Sequence, residues 1–112
     1  MSVHVNIKTP ALDSHDFFPI AGQAPYDQYW VPAAKALGLV WIPAFSWGTS
    51  FSNEDAPAVI AEFKHLKDSL LNDVHQEIPR EYLKHEMLRV IDRVVLELDK
   101  VKDVPNLDVF IG

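Results

Sequence analysis

The sequence predicts an α+β fold in which a small sheet packs against a C-terminal helical hairpin. Near the N-terminus, Val3, Val5 and Ile7 alternate with polar residues, which is the period of a strand with one buried face. In the C-terminal half, apolar residues recur at helical spacing over about residues 56–74 and 80–102. The length of 112 residues fits a single domain that covers residues 1–112.

Proline and glycine punctuate the segment that follows the first strand. Pro10 ends that strand, because its ring removes a backbone donor. Pro19, Gly22 and Pro25 then predict irregular backbone over residues 11–25. We therefore expect no regular element in this segment.

A helix is predicted within residues 26–37. Pro32 is best tolerated in a first helical turn, so residues 32–37 carry the clearest helical signal. Gly38 suits the left-handed conformation that often ends a helix. The helix is therefore expected to end at this glycine.

A short buried strand is predicted next, over the compact apolar run at residues 39–42. Pro43 lacks the N–H group that a central strand needs, so the strand should end there or lie at an edge. Residues 45–53 are rich in Ser, Gly and aromatic side chains, and this composition predicts a loop.

The C-terminal half predicts the helical hairpin and a last strand. Asp55 suits the N-cap of the first helix because its carboxylate can accept from free backbone N–H groups, and Pro57 falls in the first turn. Pro79 starts the second helix, whose apolar stripe spans about 160° at 100° per residue. An arc this wide predicts that the helix contacts two neighbours. Alternation over residues 107–111 predicts a strand.

The composition excludes several classes of function. The chain has no cysteine, which excludes disulfides and thiolate metal sites and favours the reducing cytoplasm. Its formal net charge of -6 repels phosphate and anionic lipid, so we expect no nucleic-acid partner and no membrane partner. The same charge favours a basic protein as partner. Residues 1–5 lack the pattern of a signal peptide.

We expect no metal ion, no cofactor and no catalytic residue. His65, His75 and His85 are spaced by ten, which matches no zinc-ligand pattern. His15 and Asp16 could form a base and its orienting carboxylate, but adjacent residues rarely point at one another. No nucleophile motif accompanies them. These observations predict a non-enzymatic protein.

Aromatic residues are concentrated in the first 51 residues, which hold nine of the twelve. Two turn-rich clusters, residues 25–30 and 45–51, contain Tyr and Trp, the side chains favoured at interface centres. Nearby carboxylates would steer a basic partner towards them. The opposite interpretation is that these rings fill the core, as most do in small domains. The predicted partner-binding residues are Asp27, Tyr29, Trp30, Trp47, Glu54 and Asp55.

Several features of the whole chain form one profile: small size, acidity, no cysteine, the aromatic segment at residues 25–30, a charged C-terminal helix, and the closing segment at residues 106–112. In this profile the chain resembles the small immunity proteins that are paired with bacterial polymorphic toxins. The resemblance implies a protein without chemistry of its own that binds and neutralises a cognate toxin, often a basic one. It implies no particular site residue, because these families share no motif.

The leading hypothesis is therefore a cytoplasmic protein-binding module of the immunity-protein kind. One alternative is a small enzyme or ligand-binding domain with an aromatic pocket that uses His15 or His75. A deep pocket where a histidine and a carboxylate converge would favour it. A second alternative is a structural homo-oligomer, such as a homodimer, built on the last helix. There, Tyr82, Arg89 and Leu96 recur every seven residues on the face away from the main stripe.

Overall fold

The computed structural model describes residues 1–72 and 81–112, apart from the side chain of Tyr82. The chain has the predicted α+β architecture, built on an antiparallel four-stranded sheet with the spatial order β2-β1-β4-β3. The strands are β1 (Ser2–Thr9), β2 (Ser14–Gly22), β3 (Thr49–Phe51) and β4 (Asp108–Ile111).

Besides a 3-10 turn at Pro10–Leu12, four helices lie in the part of the chain that the structure describes. They are α1 (Gln23–Pro25, Tyr26–Trp30 and Val31–Ala36), α2 (Trp41–Ala44), α3 (Ala56–Leu71) and α4 (Glu81–Val101). Helices α3 and α4 pack against each other, which confirms the predicted helical hairpin. The connection between them, with His75 and Pro79, lies outside the described residues.

The helices cover one face of the sheet and enclose a single hydrophobic core with it. Val5 of β1, Phe63 of α3 and Ile91 of α4 are all fully buried members of that core. Helix α4 also lies against β2. This contact is seen where the Arg93 guanidinium of α4 lies 4.2 Å from the centroid of the Phe18 ring of β2. Contact with both α3 and β2 explains the wide apolar arc of this helix.

Residues 14–22 form β2, so the prediction of irregular backbone there is wrong. Asp13 adopts a left-handed φ of 49° and reverses the chain, after which β2 pairs antiparallel with β1. Phe18 and Ile20 of β2 face the core. Pro19 is tolerated because β2 lies at the edge of the sheet, where a missing N–H group breaks no bond to a further strand.

The prediction of a buried strand at residues 39–42 is also wrong, since the structure places helix α2 at Trp41–Ala44. Pro43 fits the first turn of that helix, where its missing N–H group costs nothing. The carboxylate of Glu62 accepts hydrogen bonds from three consecutive backbone N–H groups at the start of α2. Tertiary hydrogen bonds therefore override the strand preference of a short apolar run.

Two further features of the N-terminal half differ from the prediction: the start of the first helix and the backbone of residues 45–53. Helix α1 begins at Gln23 and passes Pro32 after a π-helical turn, a local change of hydrogen-bond register. Gly38 adopts a φ of 74°, which confirms the left-handed end predicted for this helix. The segment predicted as a loop at residues 45–53 contains β3, which pairs with β4.

The C-terminal half follows the prediction more closely. Helix α3 has Asp55 at its N-cap position and Pro57 in its first turn, but the Asp55 side chain makes no capping hydrogen bond. Strand β4 confirms the predicted last strand. Within the described ranges, no helix combines the length and the apolar character needed to cross a bilayer.

Candidate partner-binding site

Trp47 is the most exposed of the described aromatic side chains, with 89% of its surface accessible to solvent. It lies in the turn between α2 and β3, where its backbone N–H donates to the Ala44 carbonyl at 3.1 Å. Gly48 follows with a φ of 89°, a conformation that glycine adopts without strain, and the chain then enters β3. Of the two tryptophans among the predicted partner-binding residues, Trp47 is therefore the exposed one.

Trp47 borders a groove of about 480 Å³ between α1 and the segment that contains α2. The α1 residues of the groove are spaced by four and therefore share one helical face. The described residues that line it are Gln23, Asp27, Val31, Lys35, Pro43, Ala44, Ser46 and Trp47. The structure thus brings together two of the predicted partner-binding residues, Asp27 and Trp47.

The carboxylate of Asp27 is held in a defined position at the edge of the groove. The Gln23 side-chain amide donates to Asp27 Oδ1 at 3.1 Å, and the Ser46 hydroxyl donates to the same oxygen. Gln23 also donates to the Ser46 carbonyl at 3.2 Å, which ties α1 to the turn that carries Trp47. Asp27 remains exposed, so its charge can still accept hydrogen bonds from an approaching cation.

Glu62 of α3 fixes the helix that forms one wall of the groove. Its carboxylate accepts from the backbone N–H groups of Val40 and Trp41 at 3.0 Å and of Ile42 at 3.1 Å. These are donors that a helix start leaves without intrahelical partners, and a carboxylate there also complements the positive end of the helix dipole. Glu62 therefore positions the backbone from which Trp47 projects.

Tyr26 holds the same helix from the α1 side. Its buried hydroxyl donates to the Ile42 carbonyl at 2.6 Å. Burial raises the pKa of Tyr26 well above its ordinary value, and the nearby carboxylates of Asp27 and Glu62 raise it further. The phenol therefore stays protonated and remains a donor.

The other aromatic residues predicted to bind a partner lie elsewhere. Trp30 is only 2% exposed and stacks on Tyr26, with ring centroids 5.6 Å apart. It is a core residue rather than part of a contact surface, because a partner cannot reach its ring. Tyr29 is partly buried against the core and does not line the groove.

The acidic residues predicted beside Trp47 are likewise outside the groove. Glu54 and Asp55 are exposed in the turn between β3 and α3. Among the described residues that line the groove, Asp27 provides the carboxylate. The acidic contribution beside Trp47 therefore comes from α1 rather than from the segment that follows β3.

His15 and Asp16 do not form the base and carboxylate pair that a catalytic site would need. Both border a hollow of about 330 Å³ between β2 and α4, together with Glu97. A ring nitrogen of His15, however, is hydrogen-bonded to Asn6 on the outer face of the sheet. Because successive strand residues point to opposite faces, the Asp16 side chain lies on the other face and cannot orient the His15 ring. His75 lies outside the described residues, and within them no three metal-ligating side chains cluster.

Sequence reasoning missed Gln23, Ser46 and Glu62. The spacing of four from Gln23 to Asp27 was an available signal, but Pro25 and Gly22 suggested irregular backbone there. Glu62 carries no local signal, because its hydrogen-bond partners lie about twenty residues earlier in the chain.

Comparisons with known proteins give no relative from which a function could be carried over, since no family model, curated protein or solved structure matches the chain. The exposure of Trp47, the groove beside it and the distribution of charge are therefore the observations on which a functional proposal rests.

Proposed function

We propose that this chain is a non-enzymatic protein-binding module of the immunity-protein kind, which binds and neutralises a basic cognate toxin in the bacterial cytoplasm. The observation that carries the proposal is the almost complete exposure of Trp47 on a fixed backbone. A tryptophan contributes a large apolar area when it is buried, and tryptophan is enriched among the residues that dominate binding energy.

The surroundings of Trp47 support a contact with protein. The groove offers a partner side chain both apolar and polar contacts, since Val31, Pro43 and Ala44 lie beside Gln23 and Ser46. An apolar centre flanked by hydrogen-bonding groups is the usual arrangement of an interface. The hydrogen bonds across the groove hold it in shape before a partner arrives, which lowers the entropy lost on binding.

Charge supports a basic partner. Asp27 presents an exposed carboxylate beside Trp47, and the chain as a whole carries a formal charge of -6. A lysine or arginine of the partner can donate to that carboxylate, while the overall field speeds the encounter. Lys35 lines the same groove and favours an acceptor at the corresponding point of the partner surface.

The test compares Trp47→Ala with Leu96→Ala, a matched removal of an exposed apolar side chain from α4. A partner retained from lysate of the source cells is identified, purified and titrated with each variant. We expect Trp47→Ala to weaken binding by about 2–4 kcal/mol, the cost of losing an interface centre. Leu96→Ala should bind like the unaltered protein. Equal affinity of Trp47→Ala and the unaltered protein would contradict the proposal.

A second substitution tests the predicted acidic flank. Adding Glu54→Ala to Trp47→Ala removes a charge that lies outside the groove. Charges at the rim of an interface act mainly on the association rate. We therefore expect the double variant to associate more slowly than Trp47→Ala alone at low salt, with little change in the dissociation rate. Stopped-flow association at two salt concentrations measures this effect, and an unchanged rate would remove Glu54 from the partner surface.

The volume of the groove favours a ligand-binding domain as a second candidate, because small-molecule sites occupy about 300–1,000 Å³. Its described lining contains no histidine, so an enzyme at this groove would have Asp27 and Lys35 as its titratable groups. Native mass spectrometry of the purified chain separates the two candidates. A small molecule that is carried by the unaltered protein and lost from Trp47→Ala would favour ligand binding.

A further inference from the structure

The outer face of the sheet, opposite the helices, is not covered by any described element. Side chains on this face lie in register across the strands: Phe17 of β2 is opposite Asn6 of β1, and Asn6 is opposite Phe110 of β4. Phe17 is 57% exposed and Phe110 is 45% exposed. Two large apolar rings therefore lie in one row across an open sheet face.

Both rings have close neighbours on this face that hold them in place. Phe17 stacks on His4, with ring centroids 4.7 Å apart and an angle of 11° between the rings. The ring of Phe110 lies over Gly48 and Gly112, where a Cβ atom at either glycine would be 2.8 Å from its Cζ atom. The two glycines thus make room for the ring. This aromatic surface is fixed before anything binds to it.

The next row of the same face carries opposite charges side by side. Lys8 of β1 is opposite Asp108 of β4, and His15 of β2 lies on the other side of Lys8. Counting Lys8 and Asp108, with the histidines neutral, this face has a formal charge of zero, whereas the whole chain has -6. An equally acidic molecule meets less repulsion when it approaches this face than when it approaches a face with a net negative charge.

We propose that this outer face pairs with the same face of a second copy of the chain. A two-fold axis that runs along the strands between β1 and β4 exchanges those two strands. It sets Lys8 of each copy opposite Asp108 of the other, and Phe110 of each copy over Asn6 of the other. A two-fold interface of this kind is closed and self-complementary, with two ion pairs beside an aromatic centre.

We expect the dimer to be weak, because two partly exposed rings in each copy provide the apolar area of this face. Even the largest exposed apolar patch on a typical monomer measures about 300–600 Å², whereas a stable interface covers about 800 Å² of each partner. We expect a dissociation constant on the order of 100 µM at neutral pH, at the weak end of specific contacts. None of the residues that line the Trp47 groove belongs to this face, so the dimer and the proposed function are separate inferences.

Sedimentation velocity of the full chain between about 5 and 500 µM, a range around the expected constant, measures the association. The double variant Phe17→Ser, Phe110→Ser should weaken it at least tenfold. Leu96→Ser is the control, since it removes an exposed apolar side chain from α4. Far-ultraviolet circular dichroism checks that each variant is folded. The proposal would be overturned if the unaltered protein were a monomer at every concentration. It would also be overturned if Leu96→Ser broke the dimer while the double phenylalanine variant did not.

A charge exchange tests the pairing without removing the rings. Lys8→Asp and Asp108→Lys each place like charges opposite each other in a homodimer, so each variant alone should be monomeric. In an equimolar mixture, each mixed dimer brings Asp at position 8 of one chain opposite Lys at position 108 of the other. It also brings the unaltered Lys8 of the second chain opposite the unaltered Asp108 of the first. We expect the mixture to dimerise like the unaltered protein. A mixture that stays monomeric while the unaltered protein dimerises would exclude this arrangement.

Discussion

Tyr26 places a hydroxyl in the core and uses it to hold α2. The group donates to the Ile42 carbonyl at 2.6 Å, and burial is the main reason that its pKa is raised. Because the ionised form would lie beside the carboxylates of Asp27 and Glu62, deprotonation is disfavoured in the folded state. This one side chain couples the core to the helix that precedes Trp47.

Tyr26→Phe removes this hydroxyl and leaves the ring in the core. Loss of the hydroxyl should lower the free energy of unfolding by about 1 kcal/mol, the usual net value of a hydrogen bond. The Ile42 carbonyl keeps a longer bond from the Phe45 N–H group at 3.3 Å, which limits the loss. Urea unfolding at pH 7 measures the difference. A variant as stable as the unaltered protein would show that this hydrogen bond makes no net contribution.

The raised pKa of Tyr26 also predicts a pH dependence. The unfolded chain releases the phenol proton near the ordinary value of 10.0, whereas the folded chain retains it to higher pH. The unfolded state therefore binds fewer protons above that value, and the free energy of unfolding falls as pH rises. Urea unfolding between pH 9 and 11 should show a shallower fall in Tyr26→Phe. Equal slopes in the two proteins would contradict this origin of the pH dependence.

Gly48 combines a positive φ with a close neighbour, the ring of Phe110. Gly48→Ala should be more destabilising than Gly38→Ala, because both positions have positive φ but only the Cβ at position 48 meets the Phe110 ring, at 2.8 Å. We expect about 1 kcal/mol for the strained backbone at Gly38 and a larger loss at Gly48. Chemical denaturation compares the two variants, and equal losses would show that the ring moves aside freely.

At the scale of elements, α2 depends on a distant side chain. Its sequence is an apolar run followed by a proline, and nothing local distinguishes it from a buried strand. The carboxylate of Glu62 on α3 accepts from three consecutive backbone N–H groups at the start of this helix and makes that start possible. The position of the turn that carries Trp47 is therefore decided by a contact between two elements.

We predict that Glu62→Gln weakens the start of α2. The amide has one acceptor oxygen and no charge, so at least one of the three N–H groups loses its partner and the free energy of unfolding falls by about 1–3 kcal/mol. Amide hydrogen exchange should quicken at Val40, Trp41 and Ile42. Glu54→Gln, which changes the net charge equally at an exposed position, is the control. Unchanged exchange in Glu62→Gln would contradict the role of this carboxylate.

The elements that sequence predicts well are those with a local period. Strands β1 and β4 alternate, and the stripes of α3 and α4 repeat at helical spacing over many residues. Strand β2 also alternates at Phe18 and Ile20, but Pro19 argues against a strand unless that strand lies at the edge of a sheet. The sequence does not show which strand lies at an edge, so β2 was not predicted. Asp27 and Trp47 were predictable from residue type, whereas Gln23 and Glu62 depend on tertiary contacts.

In the molecule as a whole, the helices cover one face of the sheet, and no element of the described residues covers the other. The helical hairpin supplies much of the core on the covered side, so its long apolar arc serves the fold. The exposed large apolar side chains of the described residues include Trp47 at the groove and the two phenylalanines of the outer sheet face. Each of these two surfaces is formed by residues from more than one element, so its shape depends on the packing of the helices and the pairing of the strands.

The most direct test of the proposed function locates the partner on the surface. A photoreactive phenylalanine analogue is placed at position 47 or, as the control, at position 96, the site of another exposed apolar residue. Irradiation in the source cells, followed by purification, shows which position becomes bonded to another protein. We expect one basic protein to be attached at position 47 and not at position 96. The same adducts at both positions, or an adduct at position 96 alone, would contradict it.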